Sequence, residues 1–215
     1  MKNTISKAMP LLLTILGAIV FGSIVINKGI AYGFSIEGLF FVATITLYVL
    51  WMIWESRVSV RELEKDNLNS DKYTMEFAAV SKMTLLITAL IYSPAPTLKQ
   101  TVIGIAIMLL GISMRMGAIS KLGKRYSHRI RKPVLPLEEG GIYGYIRHPA
   151  YMGTWIIHLG FVLVFANIWS IMALFCLWLP AVLIRTIVEE RYLKEFQEYK
   201  FYAMRVKTRL IPYVW

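Results

Sequence analysis

One cysteine, Cys176, occurs in the 215 residues, so neither an intrachain disulfide nor a cysteine-built metal cluster can form. Its apolar neighbours favour an inert, packed thiol. Acidic residues are scarce as well: 13 Asp and Glu stand against 24 Lys and Arg, for a formal charge of +11. No cleavable leader is evident, because only Lys2 and Lys7 precede the first apolar run and no small-residue cleavage site follows it. That run is expected to stay as a helix. No internal repeat is visible, which weighs against the repeat-built transporter folds. No motif that reads a nucleic-acid groove accompanies the basic residues, so nucleic acid is not an expected partner. No metal is expected either.

Apolar residues are abundant. They make up 57% of the chain, against about 45–50% in a soluble domain, and the mean hydropathy is +0.56. Runs at Pro10–Ile26, Gly38–Trp54, Phe77–Tyr92 and Thr101–Ile119 approach the roughly 20 residues of a bilayer crossing. A longer run from Met152 to Val188 has Asn167 near its middle and reads as two segments joined by a tight turn. The expected fold is an all-α, polytopic transmembrane helical protein with five spans or six. With the amino terminus in the cytoplasm, Arg57, Arg61, Lys65 and Lys72 fall inside, as do Lys121 to Lys132, Arg147 and the tail from Arg191 to Arg209. Lys28 and Lys99 alone fall outside. This bias orients a membrane protein and draws it to anionic cytoplasmic lipids.

The connector "WESRVSVRELEKDNLNSDKYTME" reads as a polar, part-helical, solvated segment. "IYSPAPTLKQ" is short and proline-rich, so the third and fourth spans are expected to be antiparallel neighbours. Lys82 and Arg115 lie inside apolar runs, where ionisable groups are costly. Each is near enough to the cytoplasmic surface to snorkel. Arg185 precedes Glu189 by four residues and so shares a helical face with it. Two readings follow: a simple ion pair, or a polar cavity that uses both.

The chemistry concentrates after Ser120, in "GGIYGYIRHPAYMG" and in "RTIVEERYLKEFQEYKFYAMRVKTRLIP". A helical hairpin over Met152–Val188 would return both of its ends to one membrane face. Tyr143, Arg147, His148 and Tyr151 would then meet Arg185, Glu189 and Glu190 in a cytoplasmic-side pocket. Such walls offer aromatic faces, carboxylates and cations, which suit a small zwitterionic ligand with a planar ring. The chain is thus expected to comprise amino-terminal membrane helices (1–120) and a functional region with the motifs (121–215), integrated in one membrane domain.

These motifs resemble the isoprenylcysteine carboxyl methyltransferases and the related phospholipid N-methyltransferases. The resemblance rests on Gly141, Tyr143, Arg147, His148, Pro149, Tyr151 and Gly153, then on Glu189, Glu190 and Leu193. It closes on Tyr199, Tyr202, Arg205, Val206, Leu210 and Pro212, and covers about Leu122 to Pro212. It implies methyl transfer from S-adenosylmethionine, bound on the cytoplasmic side, to a lipid-like or prenylated acceptor. By position, Tyr143, His148, Pro149, Ala150, Tyr151 and Glu189 resemble cofactor contacts, and the loop "VLPLEEG", with Leu135 and Leu137, resembles a segment bordering the adenosine. Glu190 belongs to the same cofactor-binding motif. Arg185 corresponds to an arginine associated with the acceptor. Arg147 has two readings, the cofactor carboxylate or a structural glutamate. His148 has three: cofactor contact, general base, or structural lock.

His158 reads as a packing residue and His128 as a surface residue among cations. Ile187 and Val188 depart from the more acidic pattern of the eukaryotic carboxyl methyltransferases, which leaves the acceptor open between a prenylated cysteine carboxylate, a phosphatidylethanolamine amine and another amphiphile. Arg185 favours the carboxylate. A reading of another class, a small transporter or nonenzymatic membrane protein with merely structural charges, competes with the enzyme.

Overall fold

The computed structural model describes residues 2–63 and 73–211, with side chains over 16–57 and 73–211. Connector residues 64–72 and Pro212 lie outside the described residues. Every regular element described is helical: α1 (Lys2–Tyr32), α2 (Ile36–Leu63), α3 (Thr74–Ile91), α4 (Leu98–Leu122), α5 (Pro149–Val164), α6 (Ile168–Ala173), α7 (Leu179–Leu193) and α8 (Gln197–Arg205). A π-helical turn, Leu174–Trp178, joins α6 to α7 without a break. Ile36–Arg57, Thr74–Ile91, Leu98–Arg125 and Ile168–Leu193 are each long and apolar enough to cross a bilayer, while Leu16–Tyr32 and Pro149–Val164 are shorter apolar helices. The protein is therefore an all-α, polytopic integral membrane protein. Its outer surface carries Ile30, Leu39, Leu50, Leu110 and Ile168, all more than half exposed, as a lipid-facing surface requires.

Termini of the helices follow local chemistry. Thr97 caps α4 by accepting from the Gln100 N–H, and the Gln100 side chain returns the bond to the Thr97 N–H. Asn167 does the same for α6 with Ser170. Its amide also donates to the Thr88 and Ala89 carbonyls at the end of α3, which ties the turn after α5 to a neighbouring helix. Pro149 occupies the first turn of α5, where a missing N–H costs nothing.

The tightest helix pair is α4 with α5, and glycine makes it so. A Cβ on Gly111 would lie 2.7 Å from the Gly153 carbonyl oxygen and 2.7 Å from the Ile157 nitrogen. One on Gly160 would lie 2.6 Å from the Gly104 carbonyl oxygen. The two backbones touch where side chains would hold them apart. This contact outweighs the short proline connector: α4 packs along α5 and against α2, whereas α3 packs against α1, α6 and α7. The expectation that the third and fourth helices are close neighbours is therefore corrected.

The buried core contains Phe41, Tyr48, Leu85, Leu86, Phe161 and Phe165. His158 lies among them, wholly buried, donating from Nδ1 to the Thr154 carbonyl at 2.7 Å with the Tyr48 hydroxyl 3.1 Å from Nε2. That is the satisfied packing role read from the sequence. Cys176 departs from expectation. It is exposed on the outer side of the π-helical turn, because apolar neighbours in a membrane helix include lipid as well as protein.

Gly111→Ala should force α4 and α5 apart, at an overpacking cost of about 1–3 kcal/mol, and lower the thermal unfolding midpoint in detergent. Gly117→Ala is the control: nothing stands within 4 Å of the added carbon, and the midpoint should hold or rise.

Candidate active site

The site begins with a turn that only some residues can make. Gly141 adopts φ +60°, a left-handed conformation that favours glycine, and opens the 3-10 turn Gly141–Gly144. The chain then bends at Arg147 and passes through His148 before Pro149 starts α5. Here the carboxy-terminal tail pairs with it: the Arg147 N–H donates to the Thr208 carbonyl and the His148 N–H to the Arg209 carbonyl, both at 3.0 Å. The loop is thus held from both sides, by α5 and by the tail.

Glu190 fastens this junction. It is 3% exposed, and Arg147 Nε donates to its Oε1 at 2.5 Å while Arg209 Nε donates to its Oε2 at 3.0 Å. Lys194 Nζ lies 3.4 Å from Oε2. The Tyr199 hydroxyl donates to Oε1 at 3.3 Å, and His148 Nε2 is also 3.3 Å away. Arg147 further donates to the Val206 and Lys207 carbonyls. Of the two readings of Arg147, the geometry matches the structural glutamate. A carboxylate and guanidinium this buried are tolerable only when paired and hydrogen-bonded on every side.

Glu189, one residue earlier, turns the other way. Helical neighbours point about 100° apart, so Glu190 faces the tail while Glu189 faces a cleft of about 920 Å³ including its open mouth. The Tyr151 hydroxyl donates to Glu189 Oε2 at 2.6 Å and accepts from Arg185 Nε at 3.0 Å. Arg185 is buried, and also donates to Thr74 Oγ1 at 2.9 Å and to the His128 carbonyl. Of the two readings of Arg185 and Glu189, the simple ion pair is not what forms: the two are joined through the Tyr151 phenol. The His148 ring stacks on Tyr151 with centroids 5.7 Å apart and planes at 24°, with Nδ1 3.9 Å from Glu189.

Tyr143, Arg147, His148, Pro149, Ala150 and Tyr151 all border the cleft, and Leu137 and Glu189 join them. Arg185 stands behind Tyr151, and Glu190 lies beneath Arg147. Leu135 is elsewhere, 52% exposed in a shallower groove beside Phe201 and Arg205. The loop that carries Leu137 is clamped to the 3-10 turn that follows α4, Gly123–Arg125, where Arg125 donates to the Pro136 carbonyl at 2.5 Å and to Glu138 at 3.1 Å. The Gly140 N–H, followed by Lys121 and Arg125, holds the Glu138 carboxyl below its usual range. Burial pushes the Tyr143, Tyr199 and Tyr202 phenols up. They remain neutral donors: Tyr143 to the Ala118 carbonyl at 3.2 Å, Tyr202 to the Tyr143 carbonyl at 2.7 Å.

Two expectations are corrected here. Arg115 does not snorkel; it is 5% exposed and grips Glu55 of α2 with Nε at 2.7 Å and with Nη2, while Nη1 donates to the Ala150 carbonyl at 2.8 Å. A carboxylate in direct contact holds the guanidinium where it is buried, without a reach to the interface. His128 is not a free surface residue; its side chain is 18% exposed, 4.0 Å from Glu55, with its ring edge against Tyr126. Lys82, likewise read as snorkelling, is half-buried and close enough to interact electrostatically with Glu55. Sequence reasoning missed Glu55 and the cleft-lining Tyr126. A signal for Glu55 existed: it is an acid at the end of an apolar run, in a protein whose Arg115 lacked a partner.

Chemically, the cleft offers one carboxylate engaged through a single oxygen among the described residues, several aromatic faces, and the cations Arg125, Arg129, Arg131 and Lys132. Such a lining can take a ligand that carries both signs of charge and a flat ring.

Comparison with known proteins bears on this arrangement. The family model described as Isoprenylcysteine carboxyl methyltransferase (ICMT) family matches residues 103–195, a stretch from within α4 through the Arg-His-Pro turn to the end of α7. The Protein-S-isoprenylcysteine O-methyltransferase B of Arabidopsis thaliana is 30% identical over 161 residues, spanning 67% of this chain and 81% of that protein.

Glu190→Gln should remove the charge that Arg147 and Arg209 share and destabilise the fold by about 3–5 kcal/mol. Denaturant or thermal titration in detergent would read the loss. A variant as stable as the wild type would refute the structural assignment of Glu190.

Proposed function

The chain belongs to the isoprenylcysteine carboxyl methyltransferase family, and from that membership we propose that it transfers a methyl group from S-adenosylmethionine to the carboxylate of a lipid-like, isoprenylcysteine-type acceptor in the membrane. The observation that carries this reading is the row Glu189–Tyr151–Arg185, which runs from the inner wall of the cleft to the arginine behind it. It places an acidic group for a cationic donor and a basic group for an anionic acceptor on either side of one phenol.

The residues present fit the cofactor. Glu189 provides a counter-charge for its ammonium, the faces of Tyr143, His148 and Tyr151 suit its sulfonium or its base, and Leu137, Pro149 and Ala150 give apolar and backbone surface. Bound there, S-adenosylmethionine supplies a methyl group on a sulfonium leaving group, open to in-line displacement. The residues of the chain then have mainly a task of placement. Arg185 draws in and orients an acceptor carboxylate, Tyr151 sets the distance between Arg185 and Glu189, and His148 packs beneath Tyr151 as a cofactor contact. A carboxylate is already ionised at neutral pH, so no general base is needed.

Orientation and organisation follow from charge and apolarity. The cations of 121–132 and 191–209 support a cleft on the cytoplasmic side together with the amino terminus, by the positive-inside bias. Residues 1–120 form the membrane scaffold and the acceptor's route, and residues 121–215 the methyl-transfer region, integrated with it. Helix α5 and the α6–α7 segment form the hairpin that closes the cleft from the membrane side, which makes five full spans, or six if α5 reaches the far surface.

Isothermal titration of the detergent-solubilised protein with S-adenosylhomocysteine should give saturable heat. Glu189→Gln should weaken that affinity at least tenfold with little change in thermal midpoint; the reverse pattern would make Glu189 a structural residue. With radiolabelled cofactor, a prenylated cysteine analogue should be labelled as a base-labile ester. Label found in phosphatidylethanolamine alone, stable to alkali and lost in His148→Ala, would replace the carboxylate by an amine and make His148 the base.

A further inference from the structure

We propose that Glu55, on α2 and outside the cleft, is a positioning residue for the methyl-transfer site: through Arg115 it fixes the first turn of α5 and hence the place of Tyr151. The inference rests on the cofactor reading of the cleft. Glu55 also lies outside the 103–195 stretch that the family shares, so the device joins an amino-terminal span to the chemistry.

The chain of contacts is short. Both Glu55 oxygens accept from Arg115, through Nε and Nη2, and the remaining terminal nitrogen, Nη1, donates to the Ala150 carbonyl at 2.8 Å. The same carbonyl accepts from Thr154 Oγ1 at 2.9 Å. Ala150 borders the cleft and immediately precedes Tyr151, whose hydroxyl joins Glu189 to Arg185. The guanidinium is held flat by its two bonds to Glu55, so the direction of Nη1, and with it the Ala150 carbonyl, is set from α2.

Arg115 has little freedom to do otherwise. A Cβ on Gly153 would meet the Arg115 nitrogen at 2.8 Å and its Cβ at 2.9 Å. The stem of the arginine is thus pressed against α5, and its head lies along that helix's first turn. Positive charge gathers there: Arg115, Lys82, close enough to interact with it, and the amino-terminal end of α5 all carry it. Glu55 is the carboxylate that offsets them, and its interactions run to Arg115, His128 and Lys82. Without it, Arg115 faces uncompensated repulsion beside a helix amino terminus and releases the carbonyl.

A surface role would need none of this geometry. A purely structural role would cost stability but leave cofactor affinity in the folded fraction alone. The two are separable by a cycle of variants read by titration with S-adenosylhomocysteine, on full-length protein in detergent whose folding is checked by thermal unfolding. Folded Glu55→Gln should bind at least tenfold more weakly than the wild type. Arg115→Lys keeps the charge facing Glu55 but cannot span both Glu55 and Ala150, so it carries the same expectation and decides the matter where Glu55→Gln does not fold. Because Glu55 acts through Tyr151, the double variant Glu55→Gln/Tyr151→Phe should bind within about twofold of Tyr151→Phe alone. Wild-type affinity in either folded variant, or losses that multiply in the double variant, would overturn the positioning role while the cofactor reading stands. A folded wild type that binds no S-adenosylhomocysteine would overturn the cofactor reading instead, and this inference with it.

Discussion

A single buried carboxylate, that of Glu190, holds together three segments that the chain keeps far apart. Arg147 comes from the loop before α5, Arg209 from the tail, and Lys194 and Tyr199 from the turn and helix that follow α7. Because an uncompensated carboxylate at this depth would be intolerable, the loop and the tail must both be in place once α7 is. The backbone pairing of Arg147 and His148 with Thr208 and Arg209 follows from that convergence. The adjacent Glu189 is then free for another purpose, since rotation by one helical residue takes it from the anchored side to the open side. A doublet of glutamates thus divides between holding the fold and bordering the cleft.

Membrane packing supplies the second constraint. Glycine contacts bring α4 and α5 so close that Arg115 is trapped between them, and its charge can be satisfied only sideways, by Glu55 of α2. The cleft therefore has a buried ion pair beneath it and another beside it. Neither adds much stability over an apolar replacement, by the usual balance of desolvation against attraction. What each provides is direction: a planar guanidinium with two bonds to a carboxylate has a fixed third bond. For Arg115 that third bond ends on the Ala150 carbonyl, while Arg147, with one bond to Glu190, directs its Nη1 to the Val206 and Lys207 carbonyls.

The all-α membrane architecture was legible because apolar runs and flanking cations are local properties of the chain. The meeting of the Arg-His-Pro loop with the glutamate doublet was legible from one long apolar run divided by Asn167, whose capping box now explains the turn. Arg115 was not. Snorkelling and ion pairing look alike in a single helix, and the deciding partner lies sixty residues away on α2. Cys176 failed for a related reason, since apolar surroundings in the sequence do not distinguish a protein interior from lipid. The separation of α3 from α4 is not legible in a short connector, because the glycine face shared by α4 and α5 decides which helix α4 packs along.

The phenol between Arg185 and Glu189 stands where the simple ion-pair reading would put a direct contact. Residues four apart on a helix could pair directly, but a direct ion pair would neutralise both groups and turn each away from a ligand. Tyr151 has one hydroxyl proton, which it gives to Glu189, and a lone pair, which accepts from Arg185. Each charged group is thereby oriented while keeping its own charge. In the proposed reaction the donor is cationic and the acceptor anionic, and they must approach along one line without a protein ion pair between them. A neutral spacer fixed by α5 meets that requirement, and anything that moves the first turn of α5 moves the spacer.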